Sequence, residues 1–122
     1  MHNALAWFEI PATDIDRARR FYEAIFAFEM QALEVAQLRM ALFPAQGVNG
    51  ALVQNTAWYK PSAEAGPLIY LSAEPDLSMV LDRVEKAGGK VVVAKRQISP
   101  QFGYMGVFTD SEGNRLALHS LK

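Results

Sequence analysis

Histidine and cysteine, which often carry acid–base, nucleophilic or metal chemistry, are scarce in this sequence. The chain of 122 residues has two histidines and no cysteine, which excludes disulfides, thiolate zinc sites and cysteine nucleophiles. We interpret His2 as a loose terminal residue. His119 lies in the last apolar segment, and Glu9 stands inside the first, where an acid is costly to bury without a partner or a ligand. Glu9 as a base and His119 as its partner are therefore the candidate catalytic residues.

The composition narrows the class of protein. Apolar residues make up 51% of the chain, charged residues 20%, and the net charge is -1, which is ordinary for a globular domain. Lysine and arginine are scattered, so a basic face for nucleic acid is not expected. No segment has the ~20 apolar residues that span a bilayer, and the N-terminus lacks the pattern of a signal peptide. We expect a cytoplasmic protein without membrane or nucleic-acid partners.

The elements that position these residues follow from the apolar pattern. Ala4–Ile10 is typical of a buried strand, and Asp14 is placed to cap a helix. Apolar residues then recur at steps of three and four, at Ile15, Ala18, Phe21, Tyr22, Ile25 and Phe26. Met30–Val35 and Leu38–Phe43 predict a hairpin, and Ala51–Gln54 predicts a fourth strand.

The second half repeats this order. Pro67–Ala73 predicts a strand, Asp76 a second helix cap, and a helical stripe follows at Leu77, Val80, Leu81 and Val84. Three more strands are predicted, at Lys90–Lys95, Tyr104–Thr109 and Arg115–Ser120. The sequence therefore predicts an α+β fold of two βαβββ modules, residues 1–57 and 67–122, joined by a linker over residues 58–66.

Three motifs in this order resemble a known family. DIDRARRFY follows the first strand, DLSMVLDRVEKAGG follows the fifth, and VFTDSEGNRL precedes the last. Together they resemble the vicinal oxygen chelate superfamily, which includes glyoxalase I, bleomycin-resistance proteins and dioxygenases. The resemblance implies a curved, cup-shaped mixed sheet with helices on its outer face. It also implies, in metal-using members, a divalent ion that polarises a substrate oxygen.

The resemblance places each module's metal ligands on its first and last strands. Carried over residue by residue, these positions fall on apolar side chains: Trp7, Leu68 or Ile69, Ala117 and Leu52. Because none of these side chains can bind a divalent cation, we expect no metal or other cofactor at the usual positions.

A polar ring is predicted one step beyond those positions. Glu9, Gln54 and His119 each stand two residues past a metal position, which puts them on the same face of their strands. We expect this ring to recognise a ligand. A displaced divalent-metal site is the alternative.

Aromatic residues supply the expected pocket lining. Trp7, Tyr70 and Tyr104 in strands, with Trp58 and Tyr59 in the linker, are candidates to hold a flat or apolar molecule. Leu52 and Ala117, at two of the metal positions, are also candidate ligand-binding residues. Aromatic residues at helical or back-face phase are predicted to be core: Phe8, Phe21, Tyr22 and Phe26.

Three functions from different classes remain open at this point. The first is a metal-independent protein that binds a small aromatic or apolar molecule. The second is a lyase, isomerase or dioxygenase with a rearranged site. The third is a degenerate scaffold whose cup is plugged by Trp7 and which acts through subunit contacts. The resemblance also implies a homodimer.

Overall fold

The computed structural model describes residues 3–35, 37–55, 57 and 60–122. The first half contains β1 (Trp7–Pro11), α1 (Ile15–Phe26), β2 (Gln31–Val35), β3 (Leu38–Leu42) and β4 (Asn49–Gln54). The second half contains β5 (Tyr70–Ser72), α2 (Ser78–Leu81), β6 (Lys90–Ser99), β7 (Gly103–Thr109) and β8 (Arg115–Ser120). The order strand, helix and three strands thus occurs twice.

Hydrogen bonds between the described strands form two sheets of four strands, in the orders β1-β4-β3-β2 and β5-β8-β7-β6. The first strand of each half pairs in parallel with the last, and the remaining pairs are antiparallel. These mixed sheets confirm the predicted α+β fold. Strands β1 and β5 are edge strands of their sheets, and residues of both line one cavity at the boundary between the halves.

Helix α1 forms as its sequence predicts. The Asp14 carboxylate accepts a hydrogen bond from the Arg17 amide at 3.1 Å and caps the first turn. The predicted stripe is buried at Ile15, Ala18, Phe21, Tyr22 and Ile25. Phe26 is only half-buried. The helix ends at Ala27, whose left-handed backbone (φ 56°) turns the chain away from the axis.

Helix α2 is shorter than its apolar pattern predicts. It spans four residues, and a series of turns continues to Gly88. The stripe is nevertheless buried at Leu77, Val80, Leu81 and Val84. The Asp76 carboxylate accepts from the Ser78 amide at 2.9 Å. In the described part of the chain, no helix is long and apolar enough to cross a membrane.

Each sheet has two unlike faces. The face toward the helices belongs to one core shared by both halves, to which Ile10 and Leu52 contribute from the first sheet and Leu71 and Leu118 from the second. We call the opposite face of each sheet the cup face. It carries two separate apolar clusters, one around Met40, Ala51 and Val53 and the other around Met105, Val107 and Ala117.

Candidate functional site

Equivalent hydrogen bonds align the two halves residue by residue. The first amide after β1 donates to the Val53 carbonyl at 2.9 Å, and the first amide after β5 donates to the His119 carbonyl at 2.8 Å. Val53 therefore corresponds to His119, and Ala51 corresponds to Ala117. The first-half equivalent of Ala117 is thus Ala51, and the predicted Leu52 is one residue off.

This shift corrects the placement of two predicted site residues. Leu52 is completely buried in the helix-side core, and Gln54 lies in the same phase of β4. The Gln54 side-chain oxygen accepts from the Ile15 amide at 2.7 Å, at the start of α1. Because one residue along a strand reverses the face, Leu52 and Gln54 point away from the cup. Their predicted placement on the cup face was wrong.

Tyr104 is also misplaced by the prediction. It packs against the same helix-side core as Phe108, and the Lys95 Nζ lies 4.7 Å from the centre of its ring. Strand β7 therefore turns Tyr104 away from the cup. Tyr70 does lie on the cup face, where it is 50% exposed and pairs with Ala117 on β8.

Trp7, Glu9 and His119 lie on cup faces but belong to different sheets. The Trp7 indole donates to the Glu9 carboxylate at 3.2 Å, within β1 of the first sheet. The His119 Nε2 lies 2.6 Å from the carbonyl oxygen of Phe102 and therefore carries the proton it donates there. Because Gln54 points to the helix side, the predicted ring of Glu9, Gln54 and His119 does not form. The roles proposed for Glu9 and His119 remain predictions.

The residues at the family's metal positions do not fit a divalent ion. The aligned positions carry Trp7, Ala51, Leu68 and Ala117, and none of their side chains has a cation ligand. Within the described ranges, no group of three or more histidines and acids could hold a metal. Trp58 and Tyr59, the two linker candidates, lie outside the described residues.

An aromatic crevice lies at the other face of β1. It has a volume of about 590 Å³ and lies between the start of β1, the end of α1, the loop after β3 and strand β5. Its apolar walls are Leu5, Phe8, Phe26, Phe28, Phe43 and Leu71. Ligand pockets typically enclose ~300–1,000 Å³, so this crevice has the size of a small-molecule site.

The crevice rings pack against one another in stacked, tilted and edge-to-face pairs. Phe26 and Phe28 are stacked, with ring centres 5.1 Å apart and planes 13° apart. Phe28 meets Phe43 edge to face at 5.9 Å and 82°, and Phe8 lies 5.5 Å from Phe43. Offset-stacked and edge-to-face geometries are those that aromatic rings prefer.

Local backbone features create the crevice. Because Ala27 ends the helix in a left-handed conformation, Phe28 comes to lie beside Phe26 instead of further along the helix. Gly50 pairs with Phe8 across β1 and β4. A β-carbon at Gly50 would lie 2.5 Å from the Phe8 carbonyl oxygen and 2.6 Å from its ring, so only glycine leaves room for Phe8 as it stands.

Sequence reasoning missed this site. It assigned Phe8 and Phe26 to the core. Both do pack against the core, but they are only half-buried and also line the crevice. It gave no role to Phe28 or Phe43. Of the predicted ligand-binding residues, Tyr70 lines the crevice. The Phe26-Ala27-Phe28 segment could have indicated that Phe28 is not part of the buried helical stripe, because two residues that are two positions apart do not lie on the same face of a helix.

A polar junction joins the two halves at the opposite ends of β1 and β5. The Glu112 carboxylate accepts from the backbone amides of Thr13 and Asp14, each at 2.9 Å, and from Arg17 Nε at 2.7 Å. Burial raises the pKa of Glu112, but its hydrogen bonds from Arg17, Asp14 and Thr13 outweigh burial and lower the pKa from 4.5 to about 2. The Glu112 carboxylate is therefore ionised in the folded protein at neutral pH.

A buried tyrosine extends the polar junction. The Tyr22 hydroxyl donates to the Asp110 carboxylate at 2.7 Å, and Asn114 donates to the Pro11 carbonyl at 2.7 Å. Burial and then the Asp110 charge raise the pKa of Tyr22 well above 10.0. Burial also raises the pKa of Asp110, against hydrogen bonds from Asn114 and Tyr22. This network links α1 to the second half and holds Tyr22 protonated.

The sequence comparison identifies the family. A model of the glyoxalase/bleomycin resistance protein/dioxygenase superfamily matches residues 4–118. The chain belongs to this superfamily. The resemblance seen in the sequence motifs is thereby confirmed. A glyoxylase-like domain-containing protein from Didymella fabae is 27% identical over 97% of this chain and 94% of its own length.

Several solved structures share the fold. A hypothetical protein from S. aureus superposes with a TM-score of 0.74 at 19% identity, over 97% of this chain and 94% of that one. A fosfomycin resistance protein from Mesorhizobium loti gives 0.63 at 19% identity, over 98% and 92%. Maize glyoxalase I gives a TM-score of 0.74 at 16% identity. This match covers 95% of this chain and 45% of the maize chain. At these identities the likeness concerns the fold alone.

Proposed function

We propose that this protein is a metal-independent member of the superfamily that binds a small aromatic or apolar molecule. The observation that carries this proposal is the aromatic crevice. Its size, its four phenylalanine rings and its open mouth are those of a site for a flat hydrocarbon-rich guest. The apolar residues at the aligned metal positions support a function without a divalent ion.

Binding rather than turnover is favoured by the crevice's chemistry. Tyr70 is the only titratable side chain among the described residues that line it, so the crevice offers no carboxylate or imidazole for proton transfer. A rearranged enzyme site would instead use Glu9 and His119 on the cup faces. The Trp7 indole already donates to Glu9, and His119 is already bonded to the Phe102 carbonyl, which makes this the less supported function.

A neutral fluorescent probe tests the proposal. N-phenyl-1-naphthylamine is expected to bind saturably at one molecule per chain. Phe28→Ala should weaken binding about tenfold, because a lost aromatic contact and its buried area are worth about 1.4 kcal/mol. Phe102→Ala is the matched control, since Phe102 is 59% exposed and lies outside the crevice. Equal affinities for the wild type and Phe28→Ala would place the probe elsewhere and reject the proposal.

We also propose that the protein forms a homodimer. A cytoplasmic location stays an expectation. Two exposed aromatics on the cup faces support the dimer, Trp7 at 43% and Tyr70 at 50% exposure, beside the two apolar clusters. Light scattering on a size-exclusion column is expected to give twice the mass of one chain. A concentration-independent monomer would contradict the dimer without affecting the crevice.

A further inference from the structure

The aromatic crevice differs from the other cavities in its charge. None of the fifteen residues that line it is charged. Four other cavities formed by described residues all contain charged side chains, for example Glu9 and Arg115 in one and Asp16 and Arg39 in another. The lack of charge thus distinguishes the site proposed for the ligand from these four cavities.

We propose that the crevice selects uncharged planar aromatic molecules and rejects ions of the same shape, an inference that rests on the proposed function. An ion that enters an apolar site loses hydration, and it regains the lost free energy only if a counter-charge or hydrogen bonds meet it. The crevice lining offers no counter-charge. A neutral ring loses little on entry and gains contacts with the phenylalanines.

One acid lies beside the crevice without supplying it with a counter-charge. Glu29 lines a neighbouring cavity that shares Phe43, Pro44, Ala45 and Asn49 with the crevice. Its carboxylate is exposed, so it stays hydrated and does not serve as a counter-charge for a bound cation. A cationic guest therefore also pays for lost hydration.

The polar groups at the crevice set where a neutral ligand can carry a hydrogen-bonding group. Asn49 is already committed, since its amide donates to the Phe43 carbonyl at 2.8 Å and its side-chain oxygen accepts from the Gly50 amide at 2.7 Å. Tyr70 and Ser72 line the crevice and are exposed. A ligand with a single hydroxyl or carbonyl group fits this arrangement, with its polar end at the Tyr70 and Ser72 side and its rings among the phenylalanines.

Three probes of one shape test the inference. Calorimetric titration at pH 7 compares 2-naphthol, 2-naphthoate and 2-naphthylmethylammonium. We expect 2-naphthol to bind at least about tenfold more tightly than either ion, from the cost of burying an unpaired charge. Equal affinities for all three, or tighter binding of the cation, would overturn the inference and leave the proposed function standing. If none of the probes binds to the folded protein, the proposed function itself fails.

A charge added at the crevice separates local from long-range effects. Ala45 is an exposed residue of the lining, and Ala45→Lys is expected to reduce the preference for 2-naphthol over 2-naphthoate severalfold. Ala65→Lys is the matched control, because Ala65 is exposed and lines a different cavity. The control should keep the wild-type preference. A preference that Ala45→Lys leaves unchanged, or that both variants reduce equally, would show that the crevice does not set it.

Discussion

The two ends of the boundary between β1 and β5 are built from opposite chemistry. At one end, the turn that carries Glu112 contacts the start of α1. The Glu112 carboxylate accepts hydrogen bonds from the backbone amides of Thr13 and Asp14 and from the Arg17 guanidinium. At the other end, the loop after β3 and strand β5 face each other across an apolar cavity. The contrast indicates that one end holds the halves together while the other leaves an apolar cavity between them.

A difference in the central strands accompanies this contrast. The alignment that equates Ala51 with Ala117 also equates Gly50 with Leu116. In the first half, Phe8 lies over Gly50 and reaches the crevice, whereas in the second half Leu116 is itself buried in the core. The two modules therefore differ at this position of the central strand, and only the first leaves room there for an aromatic ring.

The largest expected effect breaks the polar end. Glu112→Gln should lower the free energy of unfolding by about 3 kcal/mol, because Arg17 and two amides lose an ionised acceptor whose side chain is completely buried. Glu29→Gln at the open end is the control, since Glu29 is exposed, and should change stability by less than about 0.5 kcal/mol. Urea titration measures both. Similar losses in the two variants would remove the distinction between the ends.

The same carboxylate predicts a pH dependence. The pKa of Glu112 in the fold is about 2, below its ordinary 4.5, so its contribution is complete above the ordinary value and is lost as the pH falls toward 2. Over this window, the wild type should therefore lose about 3 kcal/mol more of its free energy of unfolding than Glu112→Gln loses. Parallel curves for the two proteins would contradict the assignment.

A smaller effect is expected from closing the crevice. Gly50→Ala places a β-carbon 2.5 Å from the Phe8 carbonyl oxygen, and the strain should cost about 2 kcal/mol and weaken binding of N-phenyl-1-naphthylamine. Gly47→Ala is the control, because nothing lies within 4 Å of its added β-carbon. Thermal unfolding and probe titration report the two effects. A Gly50→Ala protein as stable as the control would show that Phe8 is free to move.

The buried tyrosine gives a further test of the polar end. Tyr22→Phe removes the hydroxyl that donates to Asp110 at 2.7 Å, and should cost about 1.5 kcal/mol because a buried carboxylate loses a donor. Tyr70→Phe should be nearly neutral, since Tyr70 is 50% exposed. Urea titration compares the two proteins. Equal stabilities of these variants would show that the Tyr22 hydroxyl does not support the junction.

The smallest stability effect is expected at the open end. Phe28→Ala should cost about 1 kcal/mol, less than a fully buried phenylalanine, because Phe28 is half-buried beside a cavity. A neutral aromatic ligand should raise the melting temperature of the wild type and of Phe102→Ala, but raise that of Phe28→Ala much less. Equal ligand-induced shifts in all three proteins would place the ligand outside the crevice.

Much of the fold could be predicted because it depends on local patterns. The apolar spacing and the Asp14 cap define α1, and the repeated strand order with the DSEGN turn predicts two modules. The length of α2 was overestimated, since an apolar stripe is buried equally well by a series of turns. The phase of β4 was wrong by one residue, because overlaying two sequences does not determine which hydrogen bonds align them.

The sequence by itself determined the double module and the superfamily, since these follow from residue types and order. Only the tertiary structure decided which side of each strand faces the helices, and this moved Leu52, Gln54 and Tyr104 away from the cup. It also decided that four phenylalanines from distant segments share one crevice. Their meeting depends on the left-handed turn at Ala27 and the space above Gly50. The wall that Leu71 adds depends on the way the two halves pack, and no local pattern encodes that packing.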